Sequence, residues 1–194
     1  MHLIKRPEKY YRGDPWAIVE EGFCSEKQRL SESIFSVANE YMGVRGYFEE
    51  GYSGDHLLGS YFNHLYDYLE ISHDQFFKGM IHKSGAMINA VDWLYTRIVI
   101  DGEQLDLAEV KFRDFKRTLD MKKLVYTREF IWQLRSGRDI KMTFIRFLNM
   151  HTTKMGCQRI LLEPLNFSGK ADVVLGLDFN TRYEIASGWQ AGVF

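Results

Sequence analysis

The stretch VYTREFIWQLRSGRDIKMTFIRFL, residues 125–148, decides the fold class of this chain. In 125–134 one face carries Tyr126, Phe130, Trp132 and Leu134, and the other carries Thr127, Glu129, Ile131 and Gln133. Successive side chains of a strand point to opposite faces, so this alternation marks a half-buried strand. Arg135-Ser136-Gly137-Arg138-Asp139 then turns the chain into 140–148, where Ile140, Met142 and Phe144 alternate with Lys141 and Thr143. The two runs predict an antiparallel hairpin.

Similar signals recur outward from this hairpin. Residues 97–100 and 104–107 flank Asp101-Gly102, a pair that tolerates the positive φ of a tight turn. Residues 158–164, the turn 166–169 and residues 172–179 predict a third hairpin, with Val173, Leu175, Leu177 and Phe179 on one face. Residues 112–119 and 16–23 are further strand candidates. Residues 28–36 fit a short helical turn, and 57–68 fit either state. Short strands with turns between them and no repeating helical pattern predict an all-β, antiparallel sandwich.

The composition narrows the function classes. Across 194 residues, 25 Lys and Arg against 26 Asp and Glu leave a net charge of −1, which advertises neither nucleic-acid binding nor an anionic membrane surface. A 45% hydrophobic content can fill a core without disulfides or metals. Cys24 and Cys157 form neither a disulfide framework nor a metal motif. The start of the chain has no apolar signal region and no run is long enough to span a bilayer, so a cytoplasmic protein is expected. The six histidines lack zinc-helix spacing, and no nucleophile elbow, P-loop or dinucleotide fingerprint is present. No cofactor is expected.

Candidate functional residues concentrate in Tyr41-Met42-Gly43-Val44-Arg45-Gly46-Tyr47-Phe48-Glu49-Glu50-Gly51-Tyr52-Ser53-Gly54. Its glycines suggest kinks or close backbone approaches, and its aromatics and charges suggest a shaped loop. Asn39, Tyr41, Arg45, Tyr47, Glu49, Glu50 and Tyr52 are the candidates for a substrate rim or interdomain contact. Glu49 and Glu50 are neighbours; in a strand they would point to opposite faces, one lining a pocket and the other meeting solvent or Arg45. They are therefore poorly placed as an acid–base pair. Arg45 suits either an outward anchor for a carboxylate or sugar hydroxyl, or an internal brace of the loop. A stand-alone carbohydrate-binding module is the alternative, with Trp93, Trp132 and Trp189 as stacking candidates, although Trp132 falls on a core-like strand face.

An ordered series of motifs resembles the N-terminal region of glycoside hydrolase family 65, which contains maltose, kojibiose and trehalose phosphorylases. The series runs Glu32-Ser33, then Ser36-Val37-Ala38-Asn39-Glu40-Tyr41-Met42-Gly43-Val44-Arg45-Gly46, then Phe48-Glu49-Glu50-Gly51-Tyr52-Ser53-Gly54. Trp16, Ile88-Asn89-Ala90, Ile100-Asp101-Gly102-Glu103 and Leu119-Asp120-Met121 are also similar. Ala38 and Glu40 depart from the glycines of the commoner pattern, and a positive φ at Glu40 would be costly.

The resemblance implies a large antiparallel, galactose-mutarotase-like super-sandwich spanning residues 1–194 as an N-terminal domain. Residues 180–194 follow the last strand candidate without a capping helix or polar tail, so the sandwich is expected to be incomplete at that end. The resemblance further implies a catalytic α/α barrel outside this chain, on the same or a companion polypeptide. That barrel would hold the catalytic acid, an α-glucoside disaccharide as substrate and inorganic phosphate as co-substrate. A homodimer is also implied. On this reading no residue of the chain is catalytic.

Overall fold

The computed structural model describes residues 11–70, 77–185 and 188–191. The strands, in chain order, are β1 (Tyr11–Asp14), β2 (Ala17–Glu21), β3 (Val37–Ala38), β4 (Met42–Val44), β5 (Ser60–Phe62), β6 (Tyr66–Glu70), β7 (Lys83–Met87) and β8 (Thr96–Ile100). They continue with β9 (Glu103–Gln104), β10 (Lys111–Asp120), β11 (Val125–Gln133), β12 (Asp139–Leu148), β13 (Gly156–Pro164), β14 (Ala171–Leu175), β15 (Arg182–Ile185) and β16 (Gly188–Ala191). One α-helix, α1 (Gln28–Ile34), follows a 3-10 turn at Ser25–Lys27. It fulfils the helical expectation for 28–36, and the ambiguous 57–68 contains strand residues of β5 and β6. No helix among the described residues is long and apolar enough to cross a membrane.

Six strands form the principal sheet in the order β1-β2-β10-β11-β12-β13, each pair antiparallel. The β11–β12 hairpin is the one read from residues 125–148: Phe130 pairs with Met142 and Trp132 with Ile140. Its turn places Gly137 at φ +79, where a side chain would be strained. The Asp101-Gly102 turn also forms, with both residues at positive φ, and joins β8 to β9.

The inward residues of the large sheet pack against β8, β9 and the 48–52 segment. Trp132, Phe130, Met142, Phe144 and Ile140 share one buried cluster with Ile98, Ile100, Leu105, Leu107, Phe48 and Tyr52. An inward-facing strand side chain removed from water contributes roughly 1.5–3 kcal/mol. This apolar layer therefore supplies the main driving force, and period-two patterning selects which residues enter it.

The expected hairpin between 158–164 and 172–179 does not form. β13 pairs with β12, while β14 pairs with β8 in a separate three-stranded sheet, β14-β8-β9. Residues 165–170 carry the chain from one sheet to the other. A turn signal between two apolar runs reads the same for a hairpin and for a corner between sheets, and the pairing partners decide between them. Nor do Val173, Leu175, Leu177 and Phe179 enter the core; they are 43%, 60%, 62% and 54% exposed.

Candidate functional site

The candidate loop leaves the principal fold at Val37. β3 pairs with β4 and β4 with β5, and the chain between β4 and β5 makes the long excursion that holds Arg45 to Gly59. Asn39 fixes the β3–β4 turn that precedes this excursion. Its Nδ2 donates to the carbonyls of Asn149 (2.8 Å) and Thr153 (2.9 Å), and its Oδ1 accepts the backbone N–H groups of Tyr41 (2.9 Å) and Met42 (2.8 Å). One amide thus clamps the β3–β4 turn to the connection between β12 and β13. Glu40 is not among the residues at positive φ, so the departure from glycine there carries no backbone strain.

Tyr41 sits half-buried against Phe62, with ring centroids 6.3 Å apart, and Lys154 Nζ lies 5.4 Å from its ring centre. It lines a largely apolar cleft of about 570 Å³ together with Phe62, His64, Leu65 and Phe179. Its neighbours in the motif turn inward. Tyr47 is buried and donates its hydroxyl to Asp92 Oδ1 at 2.7 Å. Burial first, and then the adjacent Asp92 carboxylate, hold the Tyr47 phenol well above its ordinary pKa. Tyr52 is also buried, edge-on to Phe48 at 5.4 Å.

Glu49 and Glu50 do not occupy a strand. They sit in a turn, and both side chains are fully buried. The expectation of opposite orientations fails because the turn bends both carboxylates toward the inner face of the large sheet. There they meet arginines. Arg128 Nη1 donates to Glu50 Oε1 at 2.7 Å, and its Nη2 contacts Glu49 Oε2 at 2.9 Å and Glu50 Oε2. Arg146 Nε lies 3.0 Å from Glu49 Oε1. Arg146 also donates to the carbonyls of Arg45 and Tyr47, so the loop backbone itself is held.

A third inward arginine completes the row. Arg117 lies 2.7 Å from Glu20 Oε2 through Nε, and its Nη2 donates to Glu20 Oε1 (3.0 Å) and Gln28 Oε1 (2.9 Å). Arg117, Arg128 and Arg146 are all buried. Phe48 lies between two of them, its ring centre 5.4 Å from the Arg117 guanidinium and 4.1 Å from that of Arg128. Burial raises the Glu50 pKa against the opposing pull of Arg128, with the nearby Glu49 carboxylate adding to the rise. Burial alone would lower the Arg128 pKa, but two carboxylates on one guanidinium outweigh it, and the pKa ends above its ordinary value.

Arg45 braces the outer part of the loop. Its Nε donates to the Leu57 carbonyl (3.1 Å), and its Nη2 donates to the Arg29 carbonyl (3.1 Å) and Ser33 Oγ (2.9 Å). Glu32, fully buried on α1, stands 4.0 Å away and accepts the Leu57 N–H at 2.7 Å. Gly46 explains the tight join: a Cβ there would come within 2.9 Å of Phe35 Cβ, and its N–H already donates to the Glu32 carbonyl.

Of the seven candidates, Tyr47, Glu49, Glu50 and Tyr52 therefore face the core, Asn39 and Arg45 hold the loop internally, and Tyr41 lines a surface cleft. Sequence reading missed Arg117, Arg128 and Arg146. The available signal was a charged residue at an inward position of each of three otherwise apolar strand faces. The proposed stacking row does not assemble from Trp93 and Trp132: Trp132 is fully buried, and Trp93 is partly buried against Val44, Tyr47 and Leu94. The side chain of Trp189 lies outside the described residues.

This arrangement has recognisable relatives. Residues 18–193 match the family pattern described as "Glycosyl hydrolase family 65, N-terminal domain". The chain belongs to glycosyl hydrolase family 65. Within that family it is 30% identical over 179 residues to the alpha,alpha-trehalose phosphorylase of Thermoanaerobacter brockii, covering 91% of this chain and 23% of that protein. It is likewise 30% identical over 177 residues to the maltose phosphorylase of Bacillus subtilis, again 91% of this chain and 23% of the relative. The solved structure of a human-microbiome protein assigned as a kojibiose phosphorylase superposes with a TM-score of 0.83 at 35% identity, covering 94% of this chain and 26% of that one. The family 65 chain described here thus spans about a quarter of the length of these relatives and corresponds to their N-terminal domain.

Proposed function

We propose that this family 65 domain is the non-catalytic N-terminal sandwich of an inverting disaccharide phosphorylase acting on an α-linked glucose disaccharide. In this reading the domain packs on a catalytic α/α barrel, presents the 39–54 loop to the rim of the active site and contributes to a homodimer. Inorganic phosphate is the co-substrate and no cofactor takes part. Two free cysteines are in keeping with a reducing, cytoplasmic setting.

One observation carries the non-catalytic reading. Glu49 and Glu50, the carboxylates of the motif, are sealed under the sheet and engaged by Arg128 and Arg146. A general acid must reach the glycosidic oxygen and exchange its proton with a substrate. These two do neither. Their geometry instead suits a rigid mount for the exposed part of the loop.

The test uses the whole polypeptide that contains this domain. It is incubated with kojibiose, maltose or trehalose, with and without inorganic phosphate, and the anomer of the released glucose 1-phosphate is read by NMR. Phosphate-dependent release of the β-anomer from one of the three is expected; phosphate-independent hydrolysis or no turnover overturns the reading. In the same protein Tyr41→Ala should raise KM for the disaccharide while the unfolding temperature stays close to the parent's. Unchanged kinetics would remove the rim contribution.

A further inference from the structure

β6 and β7 stand apart from the larger sheets. Among the described residues they pair with each other alone, as a two-stranded arm. The arm is rooted in the walls of the Tyr41 cleft: Asn63, His64 and Leu65 lead into β6, Ala90 and Val91 follow β7, and all five line that cleft. The Tyr66 hydroxyl donates to Asn63 Oδ1 at 3.4 Å, so the first side chain of the arm reaches the cleft wall.

The register decides what one face of the arm carries. Tyr66 lies opposite Met87, Tyr68 opposite Gly85 and Glu70 opposite Lys83. Cross-strand partners share a face, as do alternate residues of one strand, so these six positions form a single surface. It is open to solvent: Tyr66 is 47% and Tyr68 72% exposed. At its far end Lys83 Nζ lies 3.8 Å from Glu70 Oε1. This exposed pair keeps the face neutral while offering ammonium donors and carboxylate acceptors.

Hairpin stability does not account for Gly85. A side chain opposite Tyr68 would pack on its ring, and glycine inside a strand weakens the strand. Nor does the backbone demand glycine there. Its φ is not positive, and an added Cβ would meet only Tyr68 Cε1, at 3.9 Å, an ordinary contact. The outcome is an aromatic ring beside an open recess, and strand glycines of this kind mark places where a ligand comes close. Tyrosine offers a rigid apolar ring with a hydroxyl at its rim, which suits a ligand that has one apolar face and outward hydroxyls. A neutral face with two such rings fits a saccharide; a nucleic acid calls for a basic surface.

We propose that the Tyr66–Tyr68 face of the β6–β7 arm is a saccharide-binding platform. The apolar faces of glucose units stack on the two rings, one unit enters the recess at Gly85, and Glu70 and Lys83 bond the hydroxyls. Tyr66 and Tyr68 are about 7 Å apart along the strand, so the face takes more than one sugar unit. The choice of a neutral α-linked glucoside as ligand rests on the function proposed above, whereas the platform rests on the arm. It uses none of the tryptophans that the sequence offered for stacking.

Fluorine NMR on the whole polypeptide, with fluorotyrosine in place of tyrosine, tests the platform at the residues themselves. Tyr66→Phe and Tyr68→Phe identify the two resonances. Both should shift when maltotriose is added at millimolar concentration in the absence of phosphate. Gly85→Val fills the recess while keeping both rings, and it should weaken that response about tenfold, the order of one lost stacked ring, without lowering the unfolding temperature. Ser84→Ala, on the opposite face, should leave it unchanged. Resonances that maltotriose does not move overturn the proposal, as does an undiminished response in Gly85→Val. Resonances that move with protein concentration and not with sugar also overturn it, because the face then meets a second copy. Sugar-dependent shifts in a protein without phosphorylase activity support the platform while sinking the functional reading; activity with unmoved resonances does the reverse.

Discussion

Arg117 and Arg128 stand directly opposite each other on β10 and β11, both side chains wholly buried on the inner face of the sheet. Like charges in that position repel. The arrangement persists because each guanidinium has its own acid, Glu20 for Arg117 and the Glu49–Glu50 pair for Arg128. Placing these ions in an apolar layer adds little net stability over well-packed hydrophobic residues, since desolvation offsets most of the attraction. The 48–52 turn is docked with both carboxylates over Arg128 and with Glu49 within reach of Arg146.

Removing one partner should therefore cost far more than removing a matched pair. Arg128→Met leaves Glu49 and Glu50 buried without their shared cation, and a loss of about 3–5 kcal/mol is expected. Adding Glu50→Gln should recover a substantial part of it. Urea denaturation of the two single variants and the double variant measures the coupling; additive losses would show that the pair acts independently.

Glu32 gives the chain a definite pH signature. Burial raises its folded pKa above the ordinary value near 4.5, against the opposing hydrogen bond from Leu57. Within the window from 4.5 up to that raised value, the folded state binds the proton more than the unfolded chain does. Its contribution therefore falls as pH rises through the window and returns as pH is lowered. Glu32→Gln cannot titrate, so its urea midpoint should decline less steeply between pH 4 and 7 than the parent's. Parallel curves would contradict this.

Gly51 should resist substitution for two separable reasons. It adopts φ +88, and a Cβ would stand 3.0 Å from Arg97 Nη1 and 3.2 Å from Arg97 Cζ. Gly137, at φ +79, has nothing within 4 Å of the same point. Gly51→Ala is expected to destabilise by more than about 1 kcal/mol, and by more than Gly137→Ala, which carries backbone strain alone. Thermal unfolding of the two variants decides the order.

Asn39→Ala removes two donors and two acceptor contacts at once. A loss of about 1–3 kcal/mol is expected from the unsatisfied backbone groups. Hydrogen exchange should also accelerate at Tyr41 and Met42, whose N–H groups lose their acceptor. Unchanged exchange there would mean that the turn holds without the clamp.

The strands that could be read from sequence are those whose burial is one-sided. β11 and β12 alternate buried and half-buried residues almost without exception, so local patterning carries the information. The site was less legible. Adjacent carboxylates look divergent only if the backbone is extended, and at Glu49-Glu50 a turn replaces the strand. Their partners lie far along the chain, and no local window contains both. The β13–β14 connection fails for a related reason: whether two runs pair with each other or with other strands depends on long-range contacts. Arg128 and Arg146 were nevertheless visible as charges on faces otherwise given to Tyr126, Phe130, Trp132, Ile140, Met142 and Phe144.

The separation between the ions also sets an order of events during synthesis. Arg128 follows Glu50 by 78 residues, and Arg117 follows Glu20 by 97. At roughly 5–20 residues per second, Glu50 waits about 4–16 s for its partner to be polymerised. Through that interval Glu49 and Glu50 lack the guanidinium that engages both of them in the folded domain. The side-chain contacts that hold Glu49 and Glu50 in the folded domain therefore depend on β11 and β12, which are polymerised after them.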